Sequence, residues 1–227
     1  MKIVACSITR EHDPCQTKIF KSFEKINQYH PSKKIDLKLK CGNSTMGLSE
    51  YYNNCIDNYG ESCDYMILVH DDVDFINMDL HYQIEKSMEL YDIIGVAGCS
   101  SPTIGDVNLW HLMSHKQDLK GFAGHTCKET LNNYHITVFG ASPSRVAMID
   151  GVFMVINCAK VLKTKTRFDE KFKFHHYDLD FSLSSNSNRL KIGVWPILID
   201  HSSPGLRSFN ENWKASNEYF KQKWITK

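Results

Sequence analysis

The chain has 227 residues, of which 42% are hydrophobic and 11% aromatic, enough for one α/β domain with a full core. Its 27 basic and 26 acidic residues leave a net charge of +1, which argues against a nucleic-acid or membrane-surface partner. No apolar run approaches the roughly 18 residues of a membrane span, and the N-terminal apolar segment is too short for a signal peptide. Eight cysteines without a Cys-x-x-Cys pair suit a reducing compartment. The sequence therefore predicts a soluble, cytoplasmic protein.

Short apolar runs alternate with segments of helical periodicity through the first hundred residues. The apolar runs predict strands near residues 2–8, 35–39, 65–69 and 93–97. Apolar residues spaced three or four apart predict helices near residues 19–26, 48–56 and 80–88. Strands that alternate with helices favour a mostly parallel sheet covered on both faces.

The second half of the chain is less regular. Residues 100–145 predict a mostly irregular segment, and its aromatic residues Trp110, Phe122 and Tyr134 suit a lid over a bound substrate. Residues 146–157 predict a strand, and leucines between 179 and 190 predict a helix. A last strand at 192–199 contains Pro196, which favours an edge or a bend. Aromatic residues between 213 and 224 predict a closing C-terminal helix.

A cluster of polar residues follows the most apolar predicted strand, at residues 65–69. Its members are His70, Asp71, Asp72 and Asp74. Ligands of open α/β sheets bind at the carboxyl ends of strands, and clustered carboxylates repel one another unless a cation offsets their charge. Oxygen-rich clusters suit Mg²⁺ or Mn²⁺, which in turn suit a diphosphate. The alternative is a solvated turn whose Asp caps the next helix.

Two further polar groups have both a structural and a functional interpretation. Asp178 and Asp180 stand at the start of a predicted helix, where carboxylates often cap free N–H groups. A carboxylate near aromatic rings also has its pKa raised by desolvation, which suits a general base. His201 follows the strand at 192–199, so the same sheet edge places it beside the first cluster, although a lone histidine is more often a satisfied core or surface residue.

Five motifs in order resemble inverting, family-two-like glycosyltransferases of the GT-A fold. They are His-Asp-Asp-Val at 70–73, Ile-Asp-Gly-Val-Phe-Met at 149–154, Arg-Phe-Asp-Glu at 167–170, His-Tyr-Asp-Leu-Asp at 176–180 and His-Ser-Ser-Pro-Gly at 201–205. The chain is most similar to a subgroup named after a streptomycin-biosynthesis protein domain, in which a His-x-Asp-Val form replaces the usual DxD motif. Tyr177 stands where relatives often carry Glu.

The resemblance implies a single Rossmann-like α/β domain with a mostly parallel central sheet flanked by helices. Residues 1–99 would form the half that binds the nucleotide sugar, and residues 100–227 the half that binds the acceptor. The donor would be a UDP-sugar or another NDP-sugar, held by Mn²⁺ or Mg²⁺. The partners are then a nucleotide sugar and a glycan or small-molecule acceptor, with no nucleic acid. The oligomeric state does not follow from the sequence.

The resemblance also implies roles for individual residues, carried over by motif position. Asp178 would be the catalytic base, and the metal ligands would be Asp72, His201 and Asp74. The predicted donor-binding residues are Ser7, Thr9, Arg10, Gly42, Asn43, Asn54, His70, Asp71 and Asp72. The predicted acceptor-side residues are Asp150, Gly151, Tyr177 and Asp180.

Three alternatives to a transferase fit the same residues. A nucleotide-sugar hydrolase or a nucleotidyltransferase would also pair a diphosphate with acid-bound metal. The sequence contains neither a G-x-G-x-x-G loop nor a Walker lysine motif, which counts against the nucleotidyltransferase. The third alternative, a binding module without turnover, is favoured by the unusual His70 and Tyr177.

Overall fold

A computed structural model describes residues 1–127, 133–202 and 209–225 of the chain. The strands described in the first half are β1 (Ile3–Ile8), β2 (Asp36–Lys40), β3 (Tyr65–Val69), β4 (Val73–Phe75), β5 (Ile93–Gly95) and β6 (Ala97–Cys99). Those described in the second half are β7 (Leu119–Cys127), β8 (Asn133–Val138), β9 (Ser144–Arg145), β10 (Met148–Ile149), β11 (Phe153–Asn157), β12 (Ile192–Val194) and β13 (Ile199–His201).

The α-helices of the described residues are α1 (Lys18–Tyr29), α2 (Leu48–Tyr59), α3 (Leu80–Met88), α4 (Cys158–Thr164), α5 (Tyr177–Ser187) and α6 (Glu211–Ile225). Five of these α-helices lie where helices were predicted, and α4, which directly follows β11, was not predicted. In α1, Ile19, Phe23 and Ile26 face the core, and the Thr17 hydroxyl caps the first turn by accepting from the Phe20 amide. None of the described helices is long and apolar enough to cross a membrane.

The central sheet has seven strands in the order β2-β1-β3-β11-β5-β12-β9. Strand β1 runs parallel to β2 and β3, and β12 runs parallel to β5. The other three pairings among the described strands, β11 with β3, β11 with β5 and β12 with β9, are antiparallel. Because β11 is antiparallel to both β3 and β5, five of these seven strands (β2, β1, β3, β5 and β12) run in one direction, and β11 and β9 run in the other. The prediction of a mostly parallel sheet is therefore confirmed, with β11 inserted in the opposite direction between two strands of the first half.

A second sheet lies beside the first. Two segments that were each predicted as one strand are divided between the two sheets. Its main path is β10-β6-β7-β13-β4, and β8 pairs with β7. The run predicted as one strand at 93–97 breaks at Val96 into β5 and β6, and the run at 192–199 breaks around Pro196 into β12 and β13. Pro196 thus marks a bend between sheets, as its missing N–H and fixed φ favour.

Residues 100–145 are more ordered than predicted. Residues 100–115 contain no helix or strand, but β7 and β8 form an antiparallel hairpin over the described residues that follow. The glycines that favoured a loop are required by close backbone packing. Gly121 has a φ of +85°, and a Cβ there would overlap the Val96 carbonyl oxygen, while a Cβ at Gly124 would overlap the Ile199 carbonyl oxygen.

The central sheet is buried on both faces. Along β1, Ile3 and Ala5 join one hydrophobic cluster, and Val4 and Cys6 join the other. Such alternation follows from the two-residue period of a strand. Because neither face is open to solvent, polar residues with a chemical role are confined to the strand ends.

Candidate active site

The segments after β3 and within β13 meet at one edge of the sheets. His201 pairs with Val73 of β4 and with His125 of β7. The Ser202 amide donates to the Asp72 carbonyl at 3.1 Å, and the His70 amide donates to the Val152 carbonyl at 3.1 Å. These backbone bonds fix the segment that carries His70 and Asp72 against the end of β13.

His70, Asp72 and His201 form a group that is able to hold a metal ion. One ligand atom from each residue lies within 4.8 Å of the other two. His201 Nε2 lies 3.3 Å from Asp72 Oδ1, yet this buried oxygen has no hydrogen-bond partner among the described residues. A carboxylate oxygen and two imidazole rings at this spacing are a mixed oxygen and nitrogen donor set, which fits a divalent ion. His70, predicted to contact the donor, thus lies with the metal ligands.

The electrostatics of this group follow from burial and from mutual contact. Burial lowers the pKa of His70, and the neighbouring His201 lowers it further. Burial acts in the same direction on His201, but the Asp72 carboxylate outweighs it and raises the pKa of His201. Burial raises the pKa of Asp72, but its contact with His201 outweighs burial and holds that pKa below its usual value. Asp72 is therefore the ionised member that attracts a cation.

Asp178 has the titration behaviour of a general base. It stands in the first turn of α5, and one of its oxygens, Oδ2, accepts a hydrogen bond of 2.8 Å from the Gly151 amide. Burial raises the pKa of Asp178 to about 7, and the nearby Asp150 carboxylate contributes to the rise. A carboxylate that titrates near neutral pH accepts a proton more readily than an ordinary aspartate.

Asp150, which was predicted on the acceptor side, is held in place by two donors. The indole Nε1 of Trp110 donates to Asp150 Oδ2 at 2.6 Å, and the Val152 amide donates to Oδ1 at 2.8 Å. These two bonds fix the orientation of the carboxylate. Trp110 was predicted to belong to a lid, but its ring is only 6% exposed and serves to orient Asp150.

Tyr177 and Gly151 lie beneath the site instead of lining an open acceptor surface. Tyr177 is 3% exposed, and its hydroxyl lies 2.8 Å from the Gly151 carbonyl oxygen and 2.9 Å from His70 Nε2. Gly151 is buried as well. Both residues therefore contact His70 or Asp178 from the buried side, which differs from their predicted acceptor contacts.

Two predicted site residues point away from the group. Asp74 lies 3.2 Å from Lys25 Nζ and is not a member of the metal-binding group, because it pairs with Asp200 of β13, whose side chain points to the opposite face from that of His201. Asp180 is fully buried, with one oxygen 2.7 Å from Lys223 Nζ and 2.9 Å from Trp224 Nε1 of α6. The predictions of Asp74 as a metal ligand and Asp180 as an acceptor contact do not match this geometry.

The predicted donor-binding residues separate into two groups. Ser7, Thr9, Gly42 and Asn43 gather at the carboxyl end of β1, where the Asn43 amide donates to the Thr9 carbonyl at 2.9 Å. Ser7 is fully buried and its hydroxyl has no partner within the described residues, whereas Thr9 Oγ1 accepts from the Glu11 amide.

The remaining donor predictions lie nearer to solvent. Asp71 is partly exposed, and its carbonyl oxygen accepts from the Ile19 amide. Arg10 is exposed close to this end of β1. Asn54 is exposed on α2, on the side opposite the buried Tyr52, so the structure does not bring it to the other residues.

Phe174 is a site residue that no motif indicated. Its ring lies 6.3 Å from the His70 ring, nearly parallel at 22°, although its side chain is 60% exposed. A large exposed aromatic ring beside a polar group suits stacking on a flat ligand surface. The only signal in the sequence was the density of aromatic residues between 168 and 181.

Gly151→Ala is expected to disrupt the site. A Cβ at this position would overlap the Tyr177 hydroxyl and approach Asp178 Cβ to 2.8 Å. Because both neighbours are held in place, we expect a loss of roughly 1–3 kcal/mol of unfolding free energy together with loss of ligand binding. Chemical denaturation measures the first effect, with Gly105→Ala as control, since a Cβ at Gly105 meets nothing within 4 Å. Equal stability of the two variants would contradict the packing described.

The family follows from comparison with known sequences. A model of the family described as "Glycosyltransferase like family" matches residues 10–224, which is nearly the whole chain. The chain belongs to this glycosyltransferase-like family. A comparison with curated proteins finds no match.

Solved structures similar to this glycosyltransferase-like protein agree with the fold. The crystal structure of the STIV protein A197 matches with a TM-score of 0.54 at 12% identity, over 89% of this chain and 86% of that one. A Drosophila beta-1,4-galactosyltransferase 7 mutant in complex with manganese, UDP-Gal and xylobiose matches with a TM-score of 0.50 at 7% identity. That match covers 86% of this chain but only 65% of the Drosophila chain. At these identities the likeness shows the fold alone, and the predicted GT-A fold is confirmed.

Part of the late histidine motif lies outside the described residues. His201 and Ser202 are described, whereas residues 203–205 of the motif are not. The predicted irregular segment at 100–145 also includes residues 128–132, which lie outside the described ranges.

Proposed function

We propose that this protein transfers a sugar from a nucleoside-diphosphate sugar to an acceptor hydroxyl with inversion of configuration, in a reaction that depends on a divalent metal. The observation that carries the proposal is the proximity of two chemically different groups. A metal-binding group of His70, Asp72 and His201 connects through the Tyr177 hydroxyl and the Gly151 peptide to Asp178, whose pKa is raised to about 7.

The metal-binding group favours Mn²⁺ over Mg²⁺. Mg²⁺ prefers six oxygen ligands and keeps several waters, whereas imidazole nitrogens suit later transition metals. The set of two histidines and one aspartate, with the buried Asp72 Oδ1 lacking a hydrogen-bond partner within the described part of the chain, fits a mixed nitrogen and oxygen coordination. A cation bound here supplies positive charge that stabilises the departing nucleoside diphosphate. The solved Drosophila neighbour that contains manganese and UDP-Gal supports this choice.

Asp178 is proposed as the base that activates the acceptor. In its ionised form it takes the proton from the acceptor hydroxyl while that oxygen attacks the anomeric carbon, and the diphosphate leaves with the bonding electrons. A single displacement inverts the anomeric configuration and requires no covalent intermediate on the protein. Asp150 contributes by keeping a fixed negative charge near Asp178, which raises the proton affinity of the base.

The donor and the acceptor would bind on opposite sides of the metal-binding group. The end of β1, with Ser7, Thr9, Gly42 and Asn43, and the adjacent Asp71 are proposed to contact the nucleoside and ribose. Asp150, together with the exposed ring of Phe174, is proposed to contact the acceptor. The His-x-Asp-Val form at residues 70–73 supports the proposed subgroup of the family.

A panel of nucleotide sugars tests the proposed reaction. Incubation with Mn²⁺ is expected to release free nucleoside diphosphate from one donor, and the release is expected to rise when the correct acceptor is added. Product NMR is then expected to show the anomeric configuration opposite to that of the donor. Release of nucleoside diphosphate that no acceptor increases would instead identify a hydrolase. Thermal stabilisation by nucleotide and Mn²⁺ without release would identify a binding module. Release of inorganic pyrophosphate would identify a nucleotidyltransferase.

A further inference from the structure

The Tyr177 hydroxyl bridges a metal-ligand histidine and a backbone carbonyl. It lies 2.9 Å from His70 Nε2 and 2.8 Å from the Gly151 carbonyl oxygen, and both contacts have hydrogen-bond geometry. The inference drawn from this bridge rests on the proposed function, because it concerns the same metal-binding group.

The directions of these two hydrogen bonds are determined by the available protons. A carbonyl oxygen only accepts, so the single hydroxyl proton of Tyr177 is donated to Gly151. The hydroxyl oxygen then accepts from His70, which requires the proton of the neutral imidazole to be on Nε2. Nδ1 is left as the His70 nitrogen that carries a lone pair for a cation.

We propose that Tyr177 is a positioning residue that fixes the tautomer and ring orientation of His70, so that Nδ1 of His70 binds the divalent cation. A metal-ligand histidine commonly donates its other N–H to an oxygen that fixes the ring. Here that oxygen is a phenol, which is itself fixed by the backbone of Gly151.

The surroundings of Tyr177 prevent the bridge from moving. The side chain is 3% exposed, and its ring packs against Tyr52 at 6.0 Å and Phe168 at 6.1 Å between centroids. The absence of a side chain at Gly151 provides the space for the hydroxyl.

The same glycine connects the cation side to the base. The carbonyl of Gly151 accepts from Tyr177, and its amide donates to Asp178 Oδ2. Gly151 therefore helps to fix the orientation of both His70, through Tyr177, and Asp178.

The tautomer is testable in the metal-free protein without any turnover. Long-range ¹H–¹⁵N NMR of the His70 ring in the wild type is expected to show the proton on Nε2, and Tyr177→Phe is expected to lose this single tautomer. Tyr52→Phe is the matched control, because the Tyr52 hydroxyl is buried beside Tyr177 but has no partner in the described structure. A wild-type proton on Nδ1 would overturn the inference, and this measurement needs no variant to fold.

Metal affinity provides the second readout. Titration with Mn²⁺ alone, followed by electron paramagnetic resonance, is expected to show about 10–100-fold weaker binding for Tyr177→Phe and unchanged binding for Tyr52→Phe. If Tyr177→Phe binds Mn²⁺ as tightly as the wild type, the positioning role is overturned, and the proposed function is unaffected. Failure of the wild type to bind Mn²⁺ would overturn both. If the NMR and Mn²⁺ results are as expected but the transferase assay fails, only the proposed reaction is contradicted, and the positioning role of Tyr177 is retained.

Discussion

Asp178→Asn is expected to lower kcat by about 10²–10⁴-fold and to leave the binding of nucleotide and Mn²⁺ unchanged. The amide cannot take the acceptor proton, but its oxygen still accepts from the Gly151 amide. Donor hydrolysis and transfer are measured with the same donor, and binding is measured by calorimetry with UDP and Mn²⁺. A variant with normal turnover would show that another group is the base.

The pH dependence provides an independent check on Asp178. Because burial and Asp150 raise its pKa to about 7, kcat/KM of the wild type is expected to rise with pH through about 7, where the base becomes ionised. Asp150→Asn removes the smaller of these two causes, so the rise is expected at lower pH. An Asp150→Asn variant whose pH profile of kcat/KM matches that of the wild type would contradict the effect of Asp150 on the pKa of Asp178.

The same raised pKa predicts that the free energy of unfolding falls as the pH rises, whereas kcat/KM increases. A carboxyl whose pKa is raised in the folded state contributes stability below its unfolded pKa, and this contribution is lost as the pH rises through about 7. Asp178→Asn abolishes the titration, so in metal-free protein the stability of the variant relative to the wild type is expected to increase as the pH rises from about 4 to about 7, and to stay constant above that range. Thermal melting across this range measures the difference.

Asp72→Ala is expected to weaken Mn²⁺ binding by more than the roughly 10–100-fold that loss of an outer-shell partner costs. Asp72 is the only carboxylate in the metal-binding group of the described residues, so its loss leaves two imidazoles without a negative charge. The variant is also expected to lose the part of UDP stabilisation that depends on Mn²⁺. Binding is measured by calorimetry, and folding by circular dichroism.

Asp74→Ala is the matched control for Asp72→Ala. Asp74 lies two residues further along the same acidic segment, but its carboxylate contacts Lys25 and points away from His70. A half-exposed ion pair contributes little to stability, about 0–1 kcal/mol, so we expect nearly normal Mn²⁺ binding. Equal loss in both variants would show that general charge, and not coordination by Asp72, attracts the ion.

Local patterns in the sequence predicted the strand-end position of the site. A buried strand that leads directly into His70 and Asp72, and a second that ends at His201, were enough to bring these residues to one edge. The role of Asp178 as base remains a prediction, but its raised pKa agrees with the expected effect of burial near aromatic rings. These inferences depend on strand direction and on burial, which short segments encode.

Contacts between distant segments were not predictable in the same way. Asp180 resembles Asp178 in sequence, yet α6 supplies Lys223 and Trp224 to it and makes it a buried structural residue. The division of residues 192–201 between two sheets depends on which partners lie beside each half. The bridge from Tyr177 to His70 spans 107 positions, and no periodic pattern reports such a pairing.

The turn at residues 150–152 connects one member of the metal-binding group, His70, to Asp178. Asp150 bonds Trp110, Gly151 bonds Tyr177 and Asp178, and the Val152 carbonyl accepts from the His70 amide. The distance between the metal-binding group and Asp178 is consequently set by one short internal turn. Foreign sequence grafted at the exposed edge of β8 is therefore expected to leave this distance unchanged.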